Sequence, residues 1–562
     1  MRKAIIATLI AGFFGHGFAA TKADLPSSVN PANVMNTLSQ TLPGAEAPIQ
    51  GNFGVMSNPQ NIQNAKNVSN IIILKSVKLY GAAHQVPANV TAIYQAKIGQ
   101  KMSFKEIQAM AAEMEQAYRN DGFILVQVIL PPQEIGQEEG VVQLDVIEGQ
   151  IESVIFKGDA PQAAKAQLQR YAEQIEREDP ISYASIDRFL VLSNDLPGID
   201  VSATLVQNPK VVGGSDLIVN VKQTPASAFV NYNNRGTQYI GPDQLSAGAS
   251  IYDILGADSL SVTGATIPNA SNEMVYGSIS YDLIYGALAT EINPTFTTTH
   301  TNPGSSLAPF DMEGVSTQFG LNVNQPILTS TAQKVTFQSS LLRLNSYNNV
   351  FTNQQLYDDT LTALSFGVDY QGVVWQTYND VNFSVTAGLP ILGAPQTLTN
   401  PSIAGATTQF IRYNINTSDI RYFTQRSSVA VGTQFQLSPS KLISSEQINY
   451  GGSVFGQAFN PNVISGDSGA LGSLALRYDL PTPGWMSLLQ PEIFYDVGNV
   501  GLNGAPSGVA SGATGESAGF GLNMVLLNHW QAGLTLAKPL KITQTMAVDM
   551  GWQGFFNITG AF

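Results

Sequence analysis

The sequence predicts two α+β units followed by an all-β transmembrane barrel of about 16 antiparallel strands. Only 12% of the 562 residues are charged and 51 are Gly, yet mean hydropathy is only +0.03, and past the N-terminus no apolar run is long enough for a membrane-spanning helix. A β-α-α-β-β order occurs twice before residue 225. After Thr224-Pro225, alternating strands of about ten residues are separated by Gly, Asn, Asp, Pro and Ser turns. A secreted all-β solenoid or adhesin could share the composition, so composition alone leaves both open.

The absence of several residue types narrows the possible chemistry. The chain has no Cys, which excludes disulfides, thiolate metal sites and cysteine nucleophiles. Its four His residues, at positions 16, 84, 300 and 529, are too scattered for a local metal cluster. A net charge of −14 argues against nucleic acid as a partner. No Gly-rich phosphate loop with Lys is present, so we predict no cofactor and no metal.

The N-terminal 70 residues indicate export and a linker. Residues 1–20 read as a secretory signal, with Arg2-Lys3 before an apolar stretch from Ala4 to Phe14 and small residues at Gly17 and Ala19. Residues 21–70 are rich in Pro, Asn, Gln, Ser and Ala, which is typical of a linker. Within them, residues 30–38 could form one short helix, a possible plug.

Residues 71–149 predict the first α+β unit. A buried strand covers residues 71–80. A helix then starts at a capping box formed by Ser103 and Glu106 and ends at Asp121-Gly122. Strands follow at residues 123–130 and 141–148. The apolar face of the helix has a spacing of three or four residues and comprises Phe104, Ile107, Ala111, Met114 and Tyr118.

Residues 150–224 predict a second unit of the same order. The expected elements are a strand at 151–156, helices at 163–175 and 182–194, and strands at 201–206 and 217–221. Two consecutive copies of one pattern are stronger evidence than either copy alone.

Residues 225–562 predict the barrel. At roughly 20 residues per strand and connection, this length holds about 16 strands. Alternation is clear in Gly519–Leu526, where Phe520, Leu522, Met524 and Leu526 share one face. The chain ends at Phe562 with Phe556 and Ile558 in phase, as expected for a closing strand that pairs with the first. The terminal strand of a soluble sandwich could show the same pattern.

An ordered series of short segments resembles the two-partner secretion transporters (TpsB), which export haemolysins and adhesins. Leu130-Pro131-Pro132-Gln133 and Val146–Ile151 resemble the first polypeptide-transport-associated (POTRA) domain of this family, and Asn194–Ile199 resembles a turn of the second. The resemblance covers residues 70–562. The barrel segments that carry it are Asn234-Arg235-Gly236 with Gly241, Leu255–Leu260, Gly451-Gly452, Ser465–Asp467, Phe494–Gly498 and Ala537–Leu540.

The resemblance implies an outer-membrane translocase with two periplasmic POTRA domains, residues 71–149 and 150–224. Its client would be a large, unfolded, TpsA-like exoprotein, moved without ATP. Outer-membrane lipid and the barrel assembly machinery would be further partners. An unfolded client can add a strand to an exposed POTRA sheet edge, and Gln127 and Gln143 are our contact candidates there.

The resemblance also implies a loop folded into the barrel lumen. The residues assigned to it are Gly451, Gly452, Val454, Phe455, Gly456, Gln457, Gly466 and Asp467. In the family this loop usually carries a Val-Arg-Gly-aromatic sequence whose Arg pairs with an acidic residue on the barrel wall. Here Phe455 stands where that Arg is expected. In the last strand, Gly560 stands where a bulky residue is usual.

Several other functions remain as alternatives. An assembly factor of the same barrel superfamily is the nearest, although such factors typically carry more POTRA units. A passive porin or a surface adhesin would not explain the repeated units. Two serine patterns would fit hydrolases. Gly466-Asp467-Ser468-Gly469 matches the nucleophile motif of chymotrypsin-like proteases, and Gly515–Gly519 around Ser517, with His529 one strand away, would fit a barrel lipase. The second would need a strand, a sharp turn and then a helix, which is the reverse of its context, so we predict no catalytic residue.

Overall fold

The computed structural model describes residues 26–41, 52–55, 71–82, 86–133, 140–158, 161–351, 354–505, 511–543 and 548–562. The predicted signal sequence lies outside these residues. None of the helices within them is long and apolar enough to cross a membrane.

The N-terminal segment forms a short helix and a short strand. A 3-10 turn at Ser27–Val29 leads into helix α1, Pro31–Thr41. The helix starts where the side chain of Asn30 accepts a hydrogen bond from the Ala32 amide, 2.9 Å away, which satisfies a free amide of the first turn. Strand β1, Asn52–Val55, follows.

The first α+β unit contains a three-stranded sheet of order β3-β6-β5. The predicted capping box is present, because Ser103 Oγ accepts from the Glu106 amide and Glu106 Oε2 accepts from the Ser103 amide. Of the strand predicted over 123–130, only residues 127–129 form a strand. The chain before them is still attached to the helix, because the Phe123 amide donates to the Tyr118 carbonyl. The elements are β2 Ile72–Ile73, β3 Ser76–Tyr80, α2 Ala88–Gln95, β4 Lys101–Met102, α3 Phe104–Asn120, β5 Gln127–Ile129 and β6 Val141–Ile147.

The second unit contains a four-stranded sheet of order β1-β8-β9-β7, so the linker strand β1 joins its edge. Both helices pack on one face of the sheet through buried side chains such as Leu168, Phe189 and Leu217. Burial of this apolar surface is the main stabilising contribution. The elements are β7 Gln150–Gly158, α4 Gln162–Glu176, α5 Tyr183–Asn194, β8 Ile199–Gln207 and β9 Gly214–Gln223.

Sixteen antiparallel strands then close into a barrel, as the sequence predicts. The last strand pairs with the first, from Phe229 opposite Ala561 to Asn233 opposite Asn557. The strands are β10 Ala226–Asn233, β11 Gln244–Tyr252, β12 Asp258–Thr266, β13 Met274–Tyr285, β14 Thr290–Thr301, β15 Glu313–Thr329, β16 Gln333–Val350, β17 Gln354–Val374, β18 Thr377–Gly388, β19 Ile411–Tyr422, β20 Ser427–Leu437, β23 Ser468–Tyr478, β24 Met486–Gly501, β25 Gly512–Leu526, β26 Trp530–Ile542 and β27 Gln553–Ala561.

The barrel has an apolar outside and a polar inside. Phe520 and Leu536 are exposed on the outer surface, whereas Ser316 and Ser517 are buried inside. Such alternation is the pattern of a strand between lipid and a polar lumen. Strand length is uneven around the wall: β10 has 8 residues and β27 has 9, while β16 has 18 and β17 has 21.

Candidate functional site

Helix α1 lies inside the barrel. It packs against β14, β15 and β16, and its buried Met35 and Leu38 belong to one cluster with Leu344 and Leu361 of the wall. The helix has no charged residue. The predicted short helix is therefore present, and it occupies the lumen.

A long loop between β20 and β23, residues 438–467, also folds inward and is called the pore loop below. It contains a small antiparallel hairpin, β21 Ile448–Tyr450 and β22 Ile464–Gly466. The rings of Tyr450 and Phe459 are buried with their centroids 5.7 Å apart. The loop thus has a packed core of its own.

Helix α1 and the pore loop bind each other through neutral hydrogen bonds. Ser27 Oγ donates to the carbonyl of Asn462 at 2.6 Å. Asn33 Nδ2 donates to Ser444 Oγ at 2.9 Å. Asn462 Nδ2 donates to Thr37 Oγ1 at 3.2 Å. A neutral hydrogen bond contributes only about 1 kcal/mol net, so these bonds hold the helix less strongly than the burial of Met35 and Leu38 against the wall.

The tip of the pore loop requires glycine. Gly451 and Gly452 have φ of 110° and 120°, and Gly456 has φ of 76°, conformations that other residues rarely adopt. A Cβ on Gly451 would lie 2.3 Å from the Asn460 carbonyl oxygen. The Gly451 amide closes the turn by donating to the Phe455 carbonyl at 2.9 Å. Because this local geometry requires glycine, the pair Gly451-Gly452 could be recognised in the sequence.

Both backbone groups of Gln457 at the tip are held by charged side chains of the barrel. Its amide donates to Asp496 Oδ2 at 2.9 Å, and Asp496 also accepts from Ser517 Oγ at 3.0 Å. Its carbonyl accepts from Arg235 Nη1 at 2.8 Å. We call Arg235, Gln457 and Asp496 the tip clamp.

Arg235 is fixed by further contacts beside the closing strands of the barrel. Its Nη2 donates to Thr535 Oγ1 of β26 at 3.0 Å. Its guanidinium lies over the ring of Phe555 in β27, 4.0 Å from the ring centroid. Sequence reasoning placed Arg235 in a turn of the first strand and gave it no role. The guanidinium that the resemblance implies on the tip is therefore supplied from the wall, next to the seam between β10 and β27.

Phe455 occupies the tip position where the family usually has Arg. Its ring lies against Gly432 of β20, since a Cβ on that glycine would be 3.6 Å from Phe455 Cε1. Like Ala430, it packs against the cluster that holds Tyr450. Val454 beside it is 56% exposed. Phe455 thus makes an apolar contact with a wall of small residues.

Asp467 organises the base of the pore loop. It is fully buried, and its Oδ1 accepts from the Leu442 amide at 2.8 Å and from Gln447 Nε2 at 3.1 Å. Its Oδ2 accepts from the Asn503 amide at 2.8 Å. Its neighbour Gly466 lies against β24, where a Cβ would be 2.8 Å from Val500 Cβ. The predicted residues Gly466 and Asp467 therefore lie at the root of the loop.

A second ion pair holds the flank of the pore loop. Arg412 Nη1 of β19 lies 3.0 Å from Glu446 Oε2 and also donates to the Glu446 carbonyl at 3.0 Å. Glu446 is buried, and a buried ion pair is costly to break from one side. Sequence reasoning missed this pair because its partners are 34 residues apart.

The two glutamines predicted at a POTRA edge lie in the first unit. Gln127 begins β5, an edge strand of three residues. Gln143 lies in β6, the central strand, and its amide and carbonyl are bonded to the side chain of Gln133. Their contact with a client stays a prediction.

The serine patterns do not assemble a triad in the described residues. Ser517 donates to Asp496, but His529 lies in the turn at the far end of β25. Nine residues of strand separate Ser517 from Leu526, a distance of about 30 Å. Ser468 bonds to the backbone of Ser438. The described residues also hold no group of three or more His, Asp or Glu that could bind a metal.

The second unit is fixed against the turns at one end of the barrel. Gln167 Nε2 donates to the Gly286 carbonyl at 2.6 Å, and Lys334 Nζ lies 2.9 Å from Asp195 Oδ2. The Thr331 amide donates to Asp187 Oδ2 at 2.9 Å. The helical side of the second unit therefore lies against one end of the barrel.

Comparison with known proteins gives a consistent picture. A family model described as haemolysin secretion/activation protein ShlB/FhaC/HecB matches residues 213–522, and a ShlB-type POTRA-domain model matches residues 72–149. The heme/hemopexin transporter protein HuxB of Haemophilus influenzae (strain 86-028NP) is 22% identical over 466 residues, 79% of each chain. The outer membrane transporter CdiB of Dickeya dadantii (strain 3937) is 20% identical over 392 residues, 68% of this chain and 67% of the relative.

Solved structures share the fold. CdiB from Escherichia coli superposes with a TM-score of 0.74 at 19% identity, covering 100% of this chain and 98% of the other. CdiB from Acinetobacter baumannii superposes with a TM-score of 0.67 at 16% identity, covering 96% of this chain and 99% of the other. The overall fold of this chain, from its N-terminal units to its barrel, is therefore similar to that of both CdiB structures.

Proposed function

Because this chain belongs to the haemolysin secretion/activation protein family, an outer-membrane barrel family with periplasmic POTRA domains, we propose that it threads one large exoprotein through its lumen. The protein is an outer-membrane secretion transporter whose POTRA region lies in the periplasm. The client's route is the barrel lumen, the client is unfolded in transit, and helix α1 and the pore loop are the parts that move.

The client travels as an extended chain. Lipid cannot solvate unpaired amides, whereas a polar, water-filled lumen can. The lumen side of the wall carries polar side chains such as Thr299 and Ser316. Helix α1 and the pore loop both occupy this space, so both must shift before a chain can pass.

The energy for these shifts comes from client binding and from folding outside the cell. The contacts to be broken are neutral hydrogen bonds and the apolar packing of Met35 and Leu38 for α1, and the tip clamp and the Arg412–Glu446 pair for the pore loop. Each hydrogen bond is of the order of 1 to 3 kcal/mol, each buried apolar side chain about 1.5 to 3 and the buried ion pair about 3 to 5. Binding and folding of a large client must supply this sum. No nucleotide is therefore required.

The functional regions that we propose are residues 71–149 and 150–224 as POTRA domains and 225–562 as the barrel, after a signal at 1–20 and a linker at 21–70. Gln127 and the edge of β5 serve as one client contact. Outer-membrane lipid surrounds the barrel, and the barrel assembly machinery inserts it.

The observation that carries the proposal is a lumen occupied by helix α1 and the pore loop, with the second α+β unit fixed at one end of the barrel. Deleting the gene and comparing secreted proteins tests it: one large exoprotein should vanish from the medium. Loss of other barrels from the outer membrane instead would favour an assembly factor.

A second deletion separates the receptor from the pore. Removing residues 71–223 should abolish secretion and leave a conducting barrel in lipid bilayers. Continued secretion by this variant would refute the receptor role of the two units.

A further inference from the structure

One sheet edge in the second unit is covered by a segment that is not part of that unit. Residues 52–55 of the linker pair in parallel with β8, with Asn52 opposite Ser202 and Gly54 opposite Thr204. Strand β8 has nine residues, and only Ser202–Leu205 are covered. An edge strand exposes a row of amides and carbonyls that can bind any extended chain.

We propose that the outer edge of β8 is a docking edge for an extended segment of the secreted client, and that residues 52–55 hold it until the client arrives. This deepens, and rests on, the proposed secretion function. The observed pairing fixes the direction: the client segment runs parallel to β8.

The other edges of the two sheets are poorer templates. Strands β3 and β5 have five and three residues. The outer strand β7 has a register shift between Ile151 and Ser153, and its Val154 amide is already bonded to Glu176 Oε1 at 2.8 Å. Strand β8 pairs with β9 without a register shift. The Asn194 side chain occupies the backbone groups of Val201, which leaves the stretch from Ser202 to Gln207 for an added strand.

The covering strand is suited to leave. It is four residues long, and Gly54 in its middle weakens a strand because glycine loses the most conformational freedom on ordering. It belongs to a linker, so its departure removes nothing from the fold of the second unit. The backbone groups of Val201 are bonded to the Asn194 side chain, so a client can pair with β8 from Ser202 to Gln207, two residues beyond the segment that β1 covers.

Exchange at β8 also affects the plug. Only residues 42–51 separate the end of α1 at Thr41 from Asn52, and a chain advances at most about 3.6 Å per residue. While β1 is paired, α1 is therefore tethered to the second unit. Displacing β1 adds its residues to the free linker. The longer linker lets α1 leave the lumen.

A disulfide lock tests the proposal, and the cysteine-free chain makes it specific. The variant Asn52→Cys with Ser202→Cys should crosslink, because neighbouring strands are about 4.8 Å apart, within disulfide range. Asn52→Cys with Val206→Cys is the matched control: its cysteines are offset by four residues, about 13 Å, and should stay unlinked.

With the link formed, secretion of the exoprotein identified by gene deletion should fall at least tenfold, and a reductant should restore it. Equal secretion by linked and reduced protein would overturn the proposal, as would failure of the in-register pair to link. A defect that persists after reduction would also count against it. In each case the deletion result stands, so a failure here is distinct from a failure of the secretion function.

A client-free measurement gives independent support. In purified full-length protein, residues 50–57 are replaced by a Gly-Ser segment of equal length. A fluorescent peptide with the sequence of residues 49–58 should bind this variant at least tenfold more tightly than the wild type, whose edge is covered. Equal binding would contradict an edge that accepts strands in exchange.

Discussion

The tip clamp makes a quantitative prediction for Arg235→Met, which keeps the length of the side chain and removes its guanidinium. The variant loses the bond to the Gln457 carbonyl and the stacking over Phe555. A hydrogen bond from a charged donor contributes about 1.5 to 3 kcal/mol, whereas the contact with Phe555 lies within the wall and is the same for the seated and the released tip. At about 1.4 kcal/mol per factor of ten, the ratio of released to seated tip should rise roughly 10- to 140-fold.

A spin label on the tip measures this ratio directly. Val454→Cys provides a single labelling site because the side chain is exposed and the chain has no other Cys. The mobile fraction of the spectrum should rise strongly in Arg235→Met, and less in Arg235→Lys, which keeps the charge but not the fork of donors. Channel openings in planar bilayers should become more frequent in the same order.

Arg426→Met is the matched control, because Arg426 is exposed in the turn between β19 and β20. It should leave both the mobile fraction and the openings at wild-type values. Correct folding of Arg235→Met is checked by its heat-dependent migration on gels. If the folded variant then shows a mobile fraction within threefold of the wild-type value, the clamp does not hold the tip and the reasoning is wrong.

Three further predictions follow from packing, titration and capping. Gly515→Ala should loosen the pore loop and raise channel openings, because its Cβ would lie 2.3 Å from Tyr450 Cε1, while Gly554→Ala, which meets no atom within 4 Å, should have no effect. Burial raises the pKa of Asp253 to about 6, so this carboxyl favours the folded turn when protonated. The protection factors of amides in the turn, which are exchange rates divided into the intrinsic rate at the same pH, should fall as pH rises from about 4 to 6, and Asp253→Asn should make them independent of pH. Ser103→Ala should lower the free energy of unfolding of the first unit by about 1 kcal/mol, measured by urea titration of helical circular dichroism in the full chain, and an unchanged midpoint would contradict the role of the cap.

Features that depend on neighbouring residues were predictable from the sequence. The capping box at Ser103 and Glu106, the glycines at Gly451 and Gly452 and the alternation around Phe520 each follow from local geometry. The number of strands followed from chain length.

Features that join distant segments were not predictable. Arg235 and Gln457 are 222 residues apart, and no local pattern marks them as partners. Residues 52–55 are too few for their alternation to indicate a strand, and their pairing depends on an edge about 150 positions further along the chain. The break in the strand predicted over 71–80 arises from residues 74 and 75, where Leu74 bonds to Gln100 and Lys75 to Gly140 instead of to a sheet partner.

The uneven strand lengths have a consequence for the surrounding lipid. Eight residues of β10 extend about 27 Å along the strand, and a tilt of about 40° leaves a height near 21 Å. That is less than the apolar band of about 25 Å usual for such barrels, while β16 and β17 exceed it easily. The bilayer beside β10 and β27 must therefore become thinner to match the protein. Changes in membrane thickness should consequently affect the barrel most strongly on the side where its first and last strands meet.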